Sequence, residues 1–231
     1  KLDSDPALKK ENSSPIMGGV IRIAENECYK TLFPFEIEEA VSFKVISQIH
    51  DGLVALNPKN LSIIPSIAKK WEVNDEQNIY TFHLVNNAYF HDDKCFDGGK
   101  GKKITSKDFQ YTFELLCGNF STSAYNAFKE KIKGAKDFHL GLSESISGFK
   151  IINDSLFTIE LIEPAASFIH LIASPLGSVI SKEAFDKYGK NLKVGAGPFK
   201  YGSLDADSSE LKLMRNPNYY QKDSEGRSLP Y

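Results

Sequence analysis

The side chains in this sequence best suited to acid–base or metal chemistry are five histidines, His50, His83, His91, His139 and His170. No two of them stand in an HExxH or HxH spacing, the arrangement that presents two imidazoles to one zinc ion. Cys28, Cys95 and Cys117 form no CxxC pair. One disulfide at most can join them, and the spacing does not say between which two. A phosphate loop would need glycine at 96 and Ser or Thr at 103 around Gly101-Lys102, but the chain has Phe96 and Lys103. Asp92, Asp93 and Asp97 lack the distal glutamate that closes a calcium loop. Gly195-Ala196-Gly197 is followed by Lys200 where a dinucleotide loop has its third glycine, and no G-x-S-x-G motif occurs. His83 and His91 read as packing or turn residues, and Cys117 as core. The residues therefore offer no catalytic constellation, no metal site and no cofactor loop, and the reading is a non-enzyme.

Composition narrows the partners. The 231 residues carry 28 Lys plus Arg against 30 Asp plus Glu, a formal net charge of −2. That balance gives no support to nucleic-acid binding, which calls for a basic face. Hydrophobic residues make up 41% and charged residues 25%, ordinary values for a globular chain long enough for one large or two ordinary domains. No apolar run approaches the roughly 18 residues that cross a bilayer.

Ile64 to His91 is the stretch the other elements must be organised around. Pro65 is expected to open a helical turn over 66–70, beside Trp71, the only tryptophan. After a polar turn at 74–78, Tyr80, Phe82 and Leu84 alternate with Ile79, Thr81 and His83, the period of a strand with one buried face. Upstream, residues 1–15 are polar and aperiodic and read as a flexible tether, with a frayed terminus as the alternative. Gly18-Gly19 are expected to introduce a strand over 20–24. Val41, Val45 and Ile49 recur at helical spacing, with Gly52 a candidate C-cap. The glycine-rich stretch 92–103 reads as an elaborated surface loop. Thr105 and Asp108 form a helix-start pair ahead of the stripe Phe109, Phe113, Leu116. A helix over 123–138, strands over 149–152 and 156–162, and a helix opening at Glu163-Pro164 are expected next. Ser181 caps a helix closing at Gly189, and residues 194–201 pair in a hairpin with 211–214.

Four motifs in this order resemble those of the family 5 extracellular solute-binding proteins, the dipeptide- and oligopeptide-binding components of ABC importers. They are the run from Pro65 through Trp71-Glu72, Tyr80-Thr81-Phe82-His83-Leu84 and Phe90-His91-Asp92; the stretch Ile104 to Leu116; Val194 to Tyr201; and Arg215-Asn216-Pro217-Asn218-Tyr219-Tyr220. The likeness covers most of the chain from Gly18 to Tyr231. One departure is local: Phe33 stands where the family has an acidic residue before the proline of Leu32-Phe33-Pro34.

The resemblance implies an α/β fold of the type II periplasmic-binding-protein kind, with two lobes closing on a peptide and a further α+β domain inserted in the first lobe. Projected here, 16–50 and 181–231 form an incomplete, discontinuous first lobe and 51–180 the inserted domain. The chain reads as an amino-terminal fragment whose second lobe lies beyond it and which alone binds peptide poorly. The implied partners are a peptide ligand and the membrane permease of an ABC transporter. The implied location is the periplasm or cell surface, with a lipid anchor upstream of the tether, and the implied state is a monomer. Nickel, haem or oligosaccharide ligands on the same fold, or a surface interaction module with no transport role, are the alternatives. For the site, the resemblance points to the extended segment Glu38, Glu39, Ala40 through its main chain, and to Tyr125 and Tyr219, with packing on the inserted domain as the alternative role of Tyr125. Alanine at Glu38 or Glu39 is then expected to matter little, and proline at Glu39 to weaken binding.

Overall fold

A computed structural model describes residue 15 and residues 18–120, 122–205 and 210–230. The expected tether over 1–15 lies outside the described residues except for Pro15. In chain order the elements are α1 (Ala40–Ile49), β1 (Val54–Leu56), β2 (Ile63–Pro65), β3 (Ala68–Val73), β4 (Ile79–Leu84), α2 (Ser106–Cys117) and α3 (Thr122–Phe128). They continue with α4 (Ala135–His139), β5 (Phe149–Asn153), β6 (Leu156–Glu160), α5 (Phe168–Ile172), α6 (Lys182–Tyr188), β7 (Phe199–Leu204) and β8 (Leu211–Arg215). The central sheet has the order β3-β4-β6-β5 and is antiparallel throughout, flanked by the hairpins β1-β2 and β7-β8.

The register aligns Trp71, Phe82, Phe157 and Ile151 across the four strands. On β4 the alternation resolves as the sequence predicts, with Tyr80, Phe82 and Leu84 buried and Ile79, Thr81 and His83 only partly covered. Phe157 is the hub. Its ring lies 5.5 Å from Phe82, 4.8 Å from Phe149 and 5.6 Å from Phe109 of α2, all near-parallel. Offset rings at such distances add attraction to the area they bury.

The start of α2 is fixed by Asp108, whose carboxylate accepts the Thr105 N–H at 2.8 Å. Asp108 is buried, so its charge needs a partner, and Lys102 supplies one at 2.7 Å while also reaching Glu183 of α6 at 2.8 Å. The stretch 92–103 is therefore more than a surface loop. Phe96 within it is buried against Phe90, and Lys102 clasps two helices.

Several expectations give way to the tertiary structure. Residues 66–68 make no helical turn, because the N–H groups of Ser66 and Ala68 donate to Leu53 O, and that of Ile67 to Gly52 O. The chain is thus held extended between β2 and β3. α1 ends at Ile49 with His50 as its cap, and Gly52 takes no capping role. The helix read over 123–138 is two helices, since Gly134 has φ +80° and a Cβ there would lie 2.3 Å from Ser147 Oγ. The helix after Pro164 begins only at Phe168. Residues 20–24 form no strand: no neighbouring chain pairs with them among the described residues, and Val20, Ile21 and Ile23 stand in solvent.

One junction joins the early and late parts of the chain. The Gly197 N–H donates to Ile49 O at 2.8 Å, and a Cβ at Gly195 would come within 2.1 Å of that same carbonyl oxygen. His91 crosses the same point. Its main-chain N–H donates to Gly195 O at 2.8 Å, its Nδ1 accepts from the Gly195 N–H at 3.3 Å, and its Nε2 donates to Gly197 O at 2.9 Å. His50 is packed alongside, buried, and neither of its ring nitrogens has a hydrogen-bond partner among the described residues.

Two outcomes follow for stability. Phe157→Ala removes the hub and should cost about 3–5 kcal/mol in denaturant unfolding. The second concerns acid. Burial, with the neighbouring His91 adding to it, holds the His50 imidazole down to about 3 from its ordinary 6.5. The unfolded chain therefore binds a proton that the folded chain refuses between these values. The His50 contribution is whole above pH 6.5 and falls as pH drops toward 3, by roughly 1.4 kcal/mol per pH unit. Asp51 titrates in the opposite sense, because burial pushes its carboxyl up to about 6, so the whole-protein pH curve mixes the two. The measurement is the stability of His50→Leu relative to the parent protein, which should rise steadily from pH 6.5 to pH 4.5. A difference independent of pH would show that His50 charges freely in the folded state.

Candidate functional site

The segment expected to face a ligand follows the 3₁₀ turn Pro34–Glu36. Phe33, the local departure from the family pattern, is fully buried, with its ring 5.0 Å from Phe35 and 5.7 Å from Phe185 of α6. An aromatic residue here anchors the turn to α6, a role an acidic side chain could not fill. Beyond the turn the chain is extended. Ile37 has φ −78° and ψ 125°, and Glu39 has φ −130° and ψ 158°. Glu38 and Ala40 are exposed and Glu39 is half-buried. The amides of residues 38 and 39 make no main-chain pair among the described residues. The expected extended stretch is therefore present, but Ala40 is already the first residue of α1.

Two sequence expectations about Glu39 change. Its Oε1 accepts the Lys30 N–H at 2.8 Å and the hydroxyl of Ser42, and the Ser42 bond holds the carboxyl below its ordinary range. Ser42 Oγ in turn accepts the N–H groups of Lys30 and Thr31 at 3.1 and 3.2 Å. Glu39 is thus a bracket between residues 30–31 and the start of α1, and alanine there removes it. Proline at Glu39 would require φ near −65°, far from the observed −130°. The position that accepts proline is Ala40, at the first turn of the helix and preceded by a residue in the extended region.

Tyr125 lies on α3, which packs against the turn Pro34–Glu36 and against α2. Its ring stacks on His139 with centroids 3.6 Å apart and planes within 7°, and Lys129 Nζ lies 5.8 Å from the ring centre. His139 is oriented by Nδ1, which lies 3.1 Å from Cys117 O and 3.2 Å from Gly118 O. The structure therefore brings the helix of Tyr125 beside the turn that leads into 38–40, with one ring face already covered.

Tyr219 is placed differently. Its hydroxyl donates to Asp51 Oδ2 at 2.8 Å, and Tyr220 donates to the same oxygen at 3.0 Å. Ser66 Oγ stands 2.9 Å from the Tyr220 hydroxyl. Burial lifts both phenols above their ordinary value, and Asp51 adds to the shift. This cluster ties the start of β1 to the end of the hairpin across 168 residues of sequence, so the Tyr219 hydroxyl is committed to the fold. The ring still borders a groove of about 410 Å³ shared with Asn87, Tyr89, Asn218 and Lys222. The role of Asp51 had no sequence signal, since nothing local marks a half-buried carboxylate whose partners lie so far away.

The remaining reactive groups are dispersed. Cys117 is buried and its thiol is pushed up to about 12 by that burial. His83 lies 3.6 Å from Glu72 on the outer face of the sheet. Among the described residues no three His, Cys, Asp or Glu side chains stand together as a metal site, and no helix is long and apolar enough to cross a membrane.

Comparison with known proteins agrees with the motifs. The sequence profile described as "Bacterial extracellular solute-binding proteins, family 5 Middle" matches residues 62–230. A dipeptide-binding protein of Lactococcus lactis subsp. cremoris (strain MG1363) is 26% identical over 196 residues, covering 80% of this chain and 34% of the relative. A dipeptide-binding protein of Escherichia coli (strain K12) is 29% identical over 170 residues, covering 69% of this chain and 30% of the relative. The crystal structure of a periplasmic oligopeptide-binding protein/oligopeptide ABC transporter (OppAIV) from Borrelia burgdorferi superposes with a TM-score of 0.73 and 26% identity, over 82% of this chain and 38% of that one. The chain thus spans about a third of the length of the curated relatives it matches. With the profile spanning most of its length and the same fold in the superposed structure, this chain belongs to the bacterial extracellular solute-binding proteins of family 5.

Proposed function

We propose that the protein captures peptides outside the cytoplasmic membrane and delivers them to the permease of an ABC importer, with no catalytic step of its own. The observation that carries this reading is the extended, main-chain-unpaired stretch at 38–39 leading into α1, in a chain whose relatives are named for dipeptide and oligopeptide binding. Main-chain hydrogen bonds give such sites affinity without regard to side-chain sequence. The amides there have no main-chain acceptor among the described residues and lie at the Glu39 carboxylate, and an extended peptide supplies carbonyls in its place.

The division of the chain belongs to the same proposal. Residues 16–50 and 181–231 form a discontinuous first lobe, and 51–180 an inserted domain. Support comes from a small separate cluster of Leu32, Ile46 and Ile49, onto which Tyr29, Ile37, Val45, Tyr201 and Leu213 pack. Every one of these residues comes from the two outer segments. The large core nevertheless runs through both divisions, since Phe33, Phe185 and Val194 join residues 53–180 in one cluster. The two parts should therefore unfold together. The exposed apolar residues Val20, Ile21 and Ile23 are surface that a further part of a two-lobed protein would cover. A lipid anchor ahead of residue 1, location in the periplasm or at the cell surface, and a monomeric state complete the reading.

Native mass spectrometry of the full-length protein, purified without denaturation, should show co-purified peptides, and their absence together with no calorimetric response to a peptide library would overturn it. Within the site, Ala40→Pro should leave the unfolding transition in place and lower peptide affinity by about tenfold, the loss of one hydrogen bond. Unchanged affinity would place the ligand away from residue 40. Glu39→Ala should lower stability by about 1 kcal/mol through the lost bracket to Lys30 and Ser42, whereas Glu38→Ala should be neutral. Equal effects of the two would show that the bracket contributes nothing.

A further inference from the structure

A second cavity, of about 380 Å³, lies between the β7-β8 hairpin, the loop that follows His91, and the chain leaving α6. None of the residues at 38–40, Tyr125 or Tyr219 borders it. Its lining mixes polar and apolar groups, and its charged groups divide into two kinds.

The carboxylates are already engaged. Asp92 Oδ1 accepts the Gly101 N–H at 2.9 Å and its Oδ2 pairs with Lys100 at 2.9 Å. Asp93 Oδ1 accepts the Tyr188 hydroxyl at 2.7 Å and the Cys95 N–H at 2.8 Å. Asp92 is thus paired within its own loop, whereas Asp93 is held by neutral donors, one of them from α6, and keeps its charge. Lys187, just outside the lining, donates to Lys94 O at 2.6 Å. The buried His91 forms a wall and adds no charge, because its Nδ1 must be unprotonated to accept from Gly195.

The ammonium groups of the lining are not engaged in this way. Among the described residues neither Lys193 nor Lys200 is hydrogen-bonded or ion-paired to a carboxylate. Lys193 is exposed at the rim, with Nζ 3.9 Å from the centre of the Tyr201 ring, a contact that restrains the side chain without neutralising it. Lys200 is half-buried on β7, opposite Met214, and its charge acts on Asp92, which Lys100 and Gly101 already hold. A volume of this size suits a small molecule, and with Asp92 paired to Lys100 the lining sets Lys193 and Lys200 against Asp93 alone, an excess of positive charge that favours an anion.

We infer that this cavity binds a small anion carrying two negatively charged oxygens, a phosphate or a compact dicarboxylate, held between Lys193 and Lys200. Ammonium groups act as point charges and do not demand one planar geometry, so both chemistries satisfy the site. Binding is predominantly electrostatic at a partly open cavity, and it weakens as ionic strength rises.

The test is calorimetric titration of the protein at low salt with inorganic phosphate and, separately, with succinate, each repeated on the double variant Lys193→Gln, Lys200→Gln. Saturable one-to-one binding of at least one anion is expected, weakened about tenfold or more in the double variant. Lys44→Gln, which removes a lysine paired with Glu25 elsewhere on the surface, should leave it unchanged. Binding of phosphate alone assigns a phosphorylated ligand, and binding of succinate alone a dicarboxylate. Saturation with neither anion, or binding that survives in the double variant, overturns the site. Should the double variant fail to unfold cooperatively like the parent, amide shifts of the parent protein under the same titrations decide the matter. Shifts centred on residues 193 and 200–202 support the site, and shifts elsewhere or none refute it.

Discussion

The geometry of this chain depends on a close approach of backbone to backbone at Gly195 and Gly197. Ile49 O receives the Gly197 N–H there, and no side chain larger than hydrogen fits at either glycine, with Ile49 and Gln48 carbonyls at the places a Cβ would take. The consequence is directional. α1 is fixed at its carboxyl end by this crossing, and at its amino end by Glu39 through Lys30 and Ser42. The segment at 38–40 is thereby held between two clamps, so an exposed strand end can remain extended without a sheet partner of its own. Preorganised donors lose less entropy on binding than a loop that must first order.

Elsewhere the chain depends on aromatic packing around the four-stranded sheet. Phe157 carries the contacts that join β4, β5, β6 and α2, and Phe168 extends the same cluster to Tyr80 and Phe128. Charge is used sparingly inside. Lys102 serves two carboxylates at once, and Asp51 is enclosed with two phenols for company. Asp108 and Asp51 thus have the hydrogen bonds and ion pairs that offset their removal from water. His50 is the exception, an imidazole kept neutral by its surroundings and left without partners.

Much of this was legible in the residues. The alternation Tyr80, Phe82, Leu84 and the stripe Phe109, Phe113, Leu116 identify their elements correctly because each has one buried face and a matching period. Thr105 with Asp108, and Ser181 with Gly189, mark helix ends through hydrogen bonds that are local in sequence. The family likeness rests on short motifs of this kind. Where the reading failed, partners distant in sequence, present or lacking, had decided the outcome. Residues 66–68 were captured by Gly52 and Leu53, and residues 20–24 found no strand to pair with among the described residues.

The candidate site divides along the same line. By itself the sequence determined the order of strands and helices, the family they resemble, and the absence of any local catalytic motif, because these depend on periodicity, capping and spacing within a few residues. Tertiary structure decided which groups are left available. It bound the Tyr219 hydroxyl to Asp51, covered one face of Tyr125 with His139, turned Glu39 into a bracket, and left Lys193 and Lys200 facing a cavity. No local pattern could foresee those outcomes, since whether a polar group is spent or free depends on partners that only folding brings within about 3 Å.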